Sequence, residues 1–324
     1  MKKPLIAILA IGLFASSCKK TNDNNISFSD DGTAPVGRVC ASQEVLTRQL
    51  AEDPSLADRM SRIEQFQADI QRNSNNYRLV NGIVEIPVVV NVLYATSAQN
   101  ISDAQIQSQI TVLNKDFAAT NTDYSKTPSI FQNVRSGDTK IRFVLQEIVR
   151  KASSKSSWKT DDAMKKSQRG GINPTNPSTT LNLWSCNMSG GILGYAQFPG
   201  GNLSTDGIVI DDNAFGSTGS VSAPYNLGRT ATHEVGHWLN LRHIWGDANC
   251  GSDLIDDTPT HNTANYGCPT ANHRSTCSGT PVEMTMNYMD YTDDPCMYMF
   301  TAKQNVRMQA TFAAGGGRNS FAQP

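Results

Sequence analysis

Residues 233–243 read His233-Glu234-Val235-Gly236-His237-Trp238-Leu239-Asn240-Leu241-Arg242-His243. Two histidines four positions apart on a helix share one face, one turn apart, so both imidazoles can grip a single ion. A glutamate beside the first of them completes a zinc-hydrolase pattern: zinc acidifies a water, and the adjacent carboxylate is within reach of its proton. His243 follows His237 by six residues. A helix that simply continued would rotate it away, so the chain must turn sharply in between. Longer forms of the motif place Gly at that turn because the backbone goes left-handed there. Here the position is Asn240, and Asn tolerates that conformation best among non-glycine residues. Three histidines plus one open position make a catalytic metal site rather than a closed structural one. Three of the chain's five histidines fall in this stretch. The expectation is a helix over residues 224–240, bearing zinc ligands His233, His237 and His243, with Glu234 as catalytic base.

The rest of the chain fits an exported protein. Lys2 and Lys3 precede the apolar run from Pro4 to Ala15, and Ser16, Ser17 and Cys18 follow. This reads as a signal peptide over residues 1–17, too short for a stable membrane anchor. The small residues before Cys18 resemble a lipoprotein cleavage site, with Cys18 carrying a lipid anchor; simple secretion with cleavage nearby is the alternative. A secreted protein, or an outer-membrane or cell-surface lipoprotein of a bacterium, is expected. The net charge of -1 gives no reason to expect nucleic acid or an anionic membrane as a partner. A length of 324 residues suits one large catalytic domain plus a short extra segment.

Patterning along the chain predicts an α+β fold. Residues 19–36 are polar and glycine-containing, a tether. Residues 42–72 read as helical, with Met60, Ile63, Phe66 and Ile70 at helical spacing, and residues 73–76 as a polar break. Residues 82–94 are β-branched and apolar, a buried strand with Pro87 marking an edge or bulge. A helix follows, with Ser102 and Gln105 as capping box and Ile106, Ile110, Leu113 and Phe117 on one face. Residues 140–150, 181–186, 192–198 and 206–211 read as further strands, Gly190 and Gly191 joining the second and third of these. Residues 244–300 are turn-rich, and residues 301–314 form a last helix with a Thr301–Gln304 capping box and Gly315 as its stop. Four of seven cysteines, Cys250, Cys268, Cys277 and Cys296, crowd into that turn-rich stretch. Export permits disulfides, and two bridges there have three pairings. Cys18, Cys40 and Cys186 are left over.

The motif HEVGHWLNLRH resembles the pappalysin family of metzincin zinc metallopeptidases, in which Asn at the turn and Trp after the second His are familiar. The likeness runs from about residue 38 to residue 312 and includes LNLW (181–184), GILGYAQFP (191–199) and DDPCMYMF (293–300). It implies a metzincin-like catalytic domain: a mixed sheet, a zinc-binding helix, and an irregular disulfide-bearing C-terminal subdomain. Residues 62–324 would be that domain, its upper part ending at 243 and its lower part covering 244–324, with residues 18–61 as a pro-segment. Met289 in Asn287-Tyr288-Met289-Asp290-Tyr291 would be the methionine-turn floor beneath the zinc, and Tyr291 would help stabilise the developing oxyanion.

The resemblance implies more. The strand within residues 191–198 would bind an extended substrate antiparallel, at the sheet edge. An aspartate at the base of the S1' pocket, Asp294 or its neighbour Asp293, would pair with a substrate arginine, giving cleavage before Arg. Cys40 would supply a cysteine switch, its thiolate holding the precursor latent; a Cys40–Cys186 disulfide or a free thiol is the alternative. Cys186 reads as a buried free thiol. Autolysis at Ser61–Arg62 would detach Cys40, with Arg59, Arg72 and Arg78 as other sites. The implied disulfides are Cys250–Cys277 and Cys268–Cys296. A Ca2+ site would use Asp253 and Thr258, with Asp257 a further candidate; capping carboxylates are the alternative reading of that loop. Protein or peptide substrates and a monomeric enzyme are expected. A non-catalytic zinc-containing surface-binding module and a zinc hydrolase of small molecules are the rivals; intact Glu234 and Tyr291 argue against the first, the latency segment against the second.

Overall fold

The structure, a computed structural model, describes residues 37–72 and 82–322, which belong to one unit spanning Ala34–Pro324. The expected signal peptide, Cys18, the tether and the polar break at 73–76 lie outside the described residues. Among the described residues no helix is long and apolar enough to cross a membrane.

Residues 42–72 are helical as expected and form two helices, α1 (Ser42–Glu52) and α2 (Ser55–Arg72). Pro54 accounts for the break. The residue before a proline is driven out of the helical region, and Asp53 sits at φ -135, ψ 89. α1 buries Val45 and Leu46, and α2 buries Leu56, Met60, Gln67 and Ile70.

The strands are β1 (Val84–Tyr94), β2 (Ile141–Ala152), β3 (Leu181–Cys186), β4 (Gly194–Ala196) and β5 (Ile208–Asp211). They form one mixed sheet of order β2-β1-β3-β5-β4. The first four in that order are parallel, and β4 runs antiparallel to β5 at the edge. Pro87 is accommodated because β1 pairs with β3 only from Val88 onward, and a register shift on the β2 side follows between Val88 and Val89. The segment expected as a strand over 192–198 pairs only over its middle three residues. It does not adjoin β3, because β5 lies between them.

Period-two alternation assigns the two faces. Val88, Val90, Leu181, Leu183, Ala196, Ile208 and Ile210 face the main core. Leu93, Trp184, Cys186, Tyr195 and Val209 face a second core that also takes up Ala41 and Val45 from the segment around α1. The main core is covered by α3 (Asp103–Phe117) and α4 (Arg229–Trp238), through Ile106, Ile110, Leu113, Phe117, Ala231 and Val235. Ser102 caps α3 by accepting from the Gln105 amide at 3.1 Å. The reciprocal half of the expected box is absent. The buried Gln105 carboxamide donates instead to the carbonyls of Asp212 and Phe215, at 3.3 and 3.0 Å. The box at α5 (Ala302–Ala310) is complete, with Thr301 and Gln304 bonding reciprocally.

After α4 the chain is irregular and tied by Cys250–Cys277 and Cys268–Cys296. These are the expected pairings. Bridges over separations of 27 and 28 residues restrict the unfolded chain by roughly 3–4 kcal/mol each. Cys40 and Cys186 are both free thiols, so the alternative bridge between them is not formed.

Candidate active site and metal centre

α4 is ten residues long and every one of them is buried. Its start is anchored to α3, where Thr232 donates to Asp116 at 2.7 Å. Its end is capped by Arg318, whose Nε donates to the Trp238 carbonyl at 2.7 Å. His233, Glu234 and His237 therefore project from a helix fixed at both ends. The helix is shorter than the 224–240 expected, because Gly228 enters left-handed at φ 77 and the chain leaves the helix at Leu239. Asn240 then takes the left-handed conformation the sequence implies, at φ 70, and His243 swings back.

The three Nε2 atoms converge: His237 lies 3.1 Å from His233 and 3.0 Å from His243. Each Nδ1 is bonded on its other side, His233 to the Tyr288 carbonyl at 2.7 Å, His237 to the Leu241 carbonyl at 2.8 Å and His243 to Asp247 Oδ1 at 2.5 Å. Carbonyls only accept, so Nδ1 carries the proton in the first two rings and the Nε2 lone pair points inward; the Asp247 carboxylate selects the same tautomer in the third. Burial also keeps the first two of these rings neutral, lowering His233 well below its ordinary value and His237 to about 3. Three acceptor nitrogens facing one point without a donor between them suit a cation, and neutral imidazole is the ligating form. The donor set therefore fits zinc.

Cys40 joins them. Its Sγ and the three imidazoles form the one group of three or more His, Cys, Asp or Glu donors, among the described residues, close enough to share an ion, all within 4.8 Å of one another. Burial and the nearby Glu234 raise the Cys40 thiol well above its ordinary value; a cation among the four donors works in the opposite direction.

The segment around Cys40 occupies the site in other ways. Ala41 donates its amide to the Gly194 carbonyl at 3.0 Å, and Cys40 bridges Gly194 of β4 in parallel. Ser42 Oγ donates to Glu234 Oε2 at 2.8 Å and accepts from the Ala196 amide, also at 2.8 Å. Burial raises the Glu234 carboxyl to about 7, the bonds from Cys40 and Ser42 opposing that shift. The Tyr291 hydroxyl donates to the Cys40 carbonyl at 3.0 Å, and its ring packs edge-on to His243, centroids 4.9 Å apart. The Met289 sulfur lies against Gly236 of α4, where a Cβ would stand.

Arg38 is the residue the sequence reading missed. It is 1% exposed, and its Nη2 meets Asp294 Oδ1 at 2.5 Å. Its Nη1 donates to Thr230 Oγ1 at 3.0 Å and its Nε to the Thr292 carbonyl at 3.2 Å. The other Asp294 oxygen accepts from the amides of Leu227 and Arg229 just before and at the start of α4, at 2.8 and 3.3 Å. Asp294 is fully buried and meets Arg38 directly, whereas Asp293 is part-exposed and feels Arg38 only at longer range.

The loop at 253–258 has a different character. Asp253, 4% exposed, accepts from Thr258 Oγ1 at 3.0 Å and from the Ile255 amide at 3.1 Å, and burial raises it to about 7. Asp257 caps α5, accepting from Thr301 Oγ1 at 2.6 Å and the Lys303 amide at 2.9 Å.

Comparison with known proteins places this arrangement. The Peptidase_M43 family, described as "Pregnancy-associated plasma protein-A", matches residues 186–313. An extracellular metalloprotease of Pyricularia oryzae is 37% identical over 235 residues, covering 69% of this chain and 72% of the relative. One from Verticillium alfalfae is 34% identical, covering 70% and 78%. Among solved structures, a promirolysin mutant of Tannerella forsythia superposes with TM-score 0.78 at 42% identity, covering 88% of this chain and 97% of that one. Mature mirolysin in complex with a cleaved peptide gives 0.72 at 46%, covering 74% and 96%. With this likeness over most of each chain, and the zinc motif, methionine and tyrosine brought together as the motif requires, the chain belongs to the pappalysin family of metalloproteases.

Proposed function

We propose that the protein is an exported zinc endopeptidase that cleaves before arginine and is made as a latent precursor. One observation carries the reading: Cys40 stands among the three ligand histidines while Arg38, two residues earlier, fills the Asp294 pocket. A single short segment thus offers the metal a fourth ligand and the pocket an arginine. Residues 1–17 serve as signal peptide, 18–61 as pro-segment and 62–324 as catalytic domain divided at residue 243. Cys18 is the first residue after export, free or lipid-bearing, in a bacterial secreted or cell-surface enzyme; the extracellular relatives support export.

Bound zinc supplies Lewis-acid polarisation of the scissile carbonyl and acidifies a water. The chain's own residues do the rest. Glu234, buried under the segment around Cys40 and bonded to Ser42, is free to take a proton and hand it to the leaving amine once Ser42 has gone. Tyr291 already donates to a backbone carbonyl at the site, that of Cys40, as it would to a substrate oxyanion. β4, the antiparallel edge strand, offers its Gly194 carbonyl and Ala196 amide for pairing. The pro-segment takes up these groups while running parallel to β4, the reverse of an antiparallel substrate, so it occupies the cleft without presenting a cleavable bond. Asp294 is the specificity residue, in a buried carboxylate geometry suited to a guanidinium. Ser61 and Arg62 are both exposed on α2, which supports cleavage between them. Ca2+ at Asp253 and Thr258, with Asp257, completes the proposal; the burial of Asp253, only partly offset by Thr258, the Ile255 amide and the more distant Arg307, supports it.

The test is the purified full chain, monomeric by light scattering. Metal analysis should return one zinc, mature protein should begin at Arg62, and a peptide library should be cut before Arg. Chelation should stop the cutting. A folded chain that leaves casein and the library intact after removal of residues up to 61 overturns the reading.

A further inference from the structure

The turn between the second and third ligand histidines is held from a distance. Asn240 is 1% exposed and left-handed, and glycine would satisfy its backbone. Its side chain nevertheless has two partners, both on α2. Its Nδ2 donates to Gln67 Oε1 at 2.7 Å and to Glu64 Oε1 at 3.2 Å, so both amide hydrogens are used. Its carbonyl accepts from Arg307 Nε at 2.8 Å, and Arg307 Nη2 reaches both Glu64 oxygens at 2.7 Å. Gln67 closes the circuit by donating to the Arg307 carbonyl at 3.4 Å.

What lies next to Asn240 makes this matter. The following residue, Leu241, supplies the carbonyl that fixes His237 Nδ1 at 2.8 Å. Its amide in turn bonds Gly236 at 2.9 Å, and the Asn240 amide bonds His237 at 2.8 Å. Rotating the Asn240 peptide would therefore move the acceptor that sets one ligand ring and the start of the chain leading to His243. Outer partners of this kind orient metal ligands and tune affinity.

We propose that Asn240 is a positioning residue for the zinc ligands, and that Glu64 and Gln67 of α2 act through it. α2 beyond Arg62 is then a working part of the metal site rather than the tail of the pro-segment. The inference rests on the zinc reading above, and it requires the maturing cut to fall before Glu64. Cuts at Arg72 or Arg78 would remove the strut.

Asn240→Gly keeps the left-handed backbone and removes only the carboxamide. Gln67→Met keeps the volume and removes the partner, and it stands away from the turn should Asn240→Gly fail to fold. Both are made in the full chain carrying Glu234→Ala, which keeps it uncut. Zinc affinity is read by chelator competition, and the ligand field by the visible bands of the Co2+-loaded protein. Asn240→Gly should lose on the order of tenfold or more in zinc affinity and shift the Co2+ bands, with Gln67→Met moving both in the same direction. Zinc affinity within about twofold and unchanged bands in the variants that fold, even with a lowered melting temperature, would overturn the inference and leave the zinc reading standing. A Glu234→Ala parent that binds no zinc overturns both.

Discussion

A Cβ on Gly236 would lie 2.4 Å from the Met289 sulfur, well inside contact distance. α4 and the segment bearing Met289 therefore meet backbone to sulfur, and no side chain fits between. Gly236→Ala must push either element away. The expected outcome is a loss of about 1–3 kcal/mol in stability, the usual cost of overpacking a core, with weakened zinc binding. Chemical denaturation with parallel metal analysis checks this. Met289→Ala in the same chain should restore room and recover part of the zinc binding; no recovery would mean that the contact is not what limits Gly236.

Cys40→Ala removes one donor from the four-membered cluster and leaves Arg38 and Ser42 in place. The precursor should mature sooner, by a factor on the order of ten, the effect of about 1.4 kcal/mol. Time courses of the N-terminus by mass spectrometry measure it, and an unchanged maturation half-time removes the switch. Cys186→Ala is the control, since that thiol is buried on the opposite face of the sheet.

Glu234→Ala should reduce peptide hydrolysis by about 10²–10⁴-fold or more while the three histidines keep the metal, since the role proposed for the carboxylate is that of proton carrier and not ligand. Steady-state kinetics and metal content on the same sample decide it. Substantial activity with full metal content takes the base role away from Glu234.

How much of this was legible follows from sequence distance. The candidate ligands sit within eleven residues, and helix periodicity alone brings His233, Glu234 and His237 to one place, with Asn240 announcing the turn. β1 is legible because a strand buried on both faces reads as a β-branched apolar run. Cys40 came only through family resemblance, since its partners lie almost two hundred residues on. Arg38 and Ser42 carry no local pattern at all: an arginine beside a tether reads as solvated until Asp294 is seen to bury it. Asp247 could have been found, four residues after His243, as a carboxylate placed to orient a ligand. The α3 capping box was read from spacing, but Gln105 is buried and found two carbonyls that the local rule could not weigh.

Asp294→Ala should collapse the preference for arginine. Removing one partner of a buried, hydrogen-bonded charge pair typically costs 2–5 kcal/mol, so selectivity for Arg over an uncharged residue should fall by roughly 30-fold or more. The same substitution leaves Arg38 buried opposite Thr230 and Thr292 without its counter-charge, so latency should weaken too. A retained cleavage profile in a peptide library would show that the pocket is read elsewhere.

The carboxyl of Asp253 gives a signed pH dependence. Burial raises it from 3.8 to about 7, with Thr258, the Ile255 amide and the attraction of Arg307 only partly opposing that. Below pH ~4 the group is protonated in both states and costs nothing. Between pH ~4 and 7 the unfolded chain ionises while the folded chain does not, so stability falls through that window, by on the order of a few kcal/mol, and levels off above it. A divalent cation at the loop favours the ionised form and cancels the fall. In EGTA, wild type should therefore lose stability relative to Asp253→Asn from pH 4 to 7, measured by denaturant unfolding. With millimolar Ca2+ the difference should flatten or reverse. If the fall relative to Asp253→Asn is the same with Ca2+ as without it, Asp253 is a capped structural carboxyl and binds no cation.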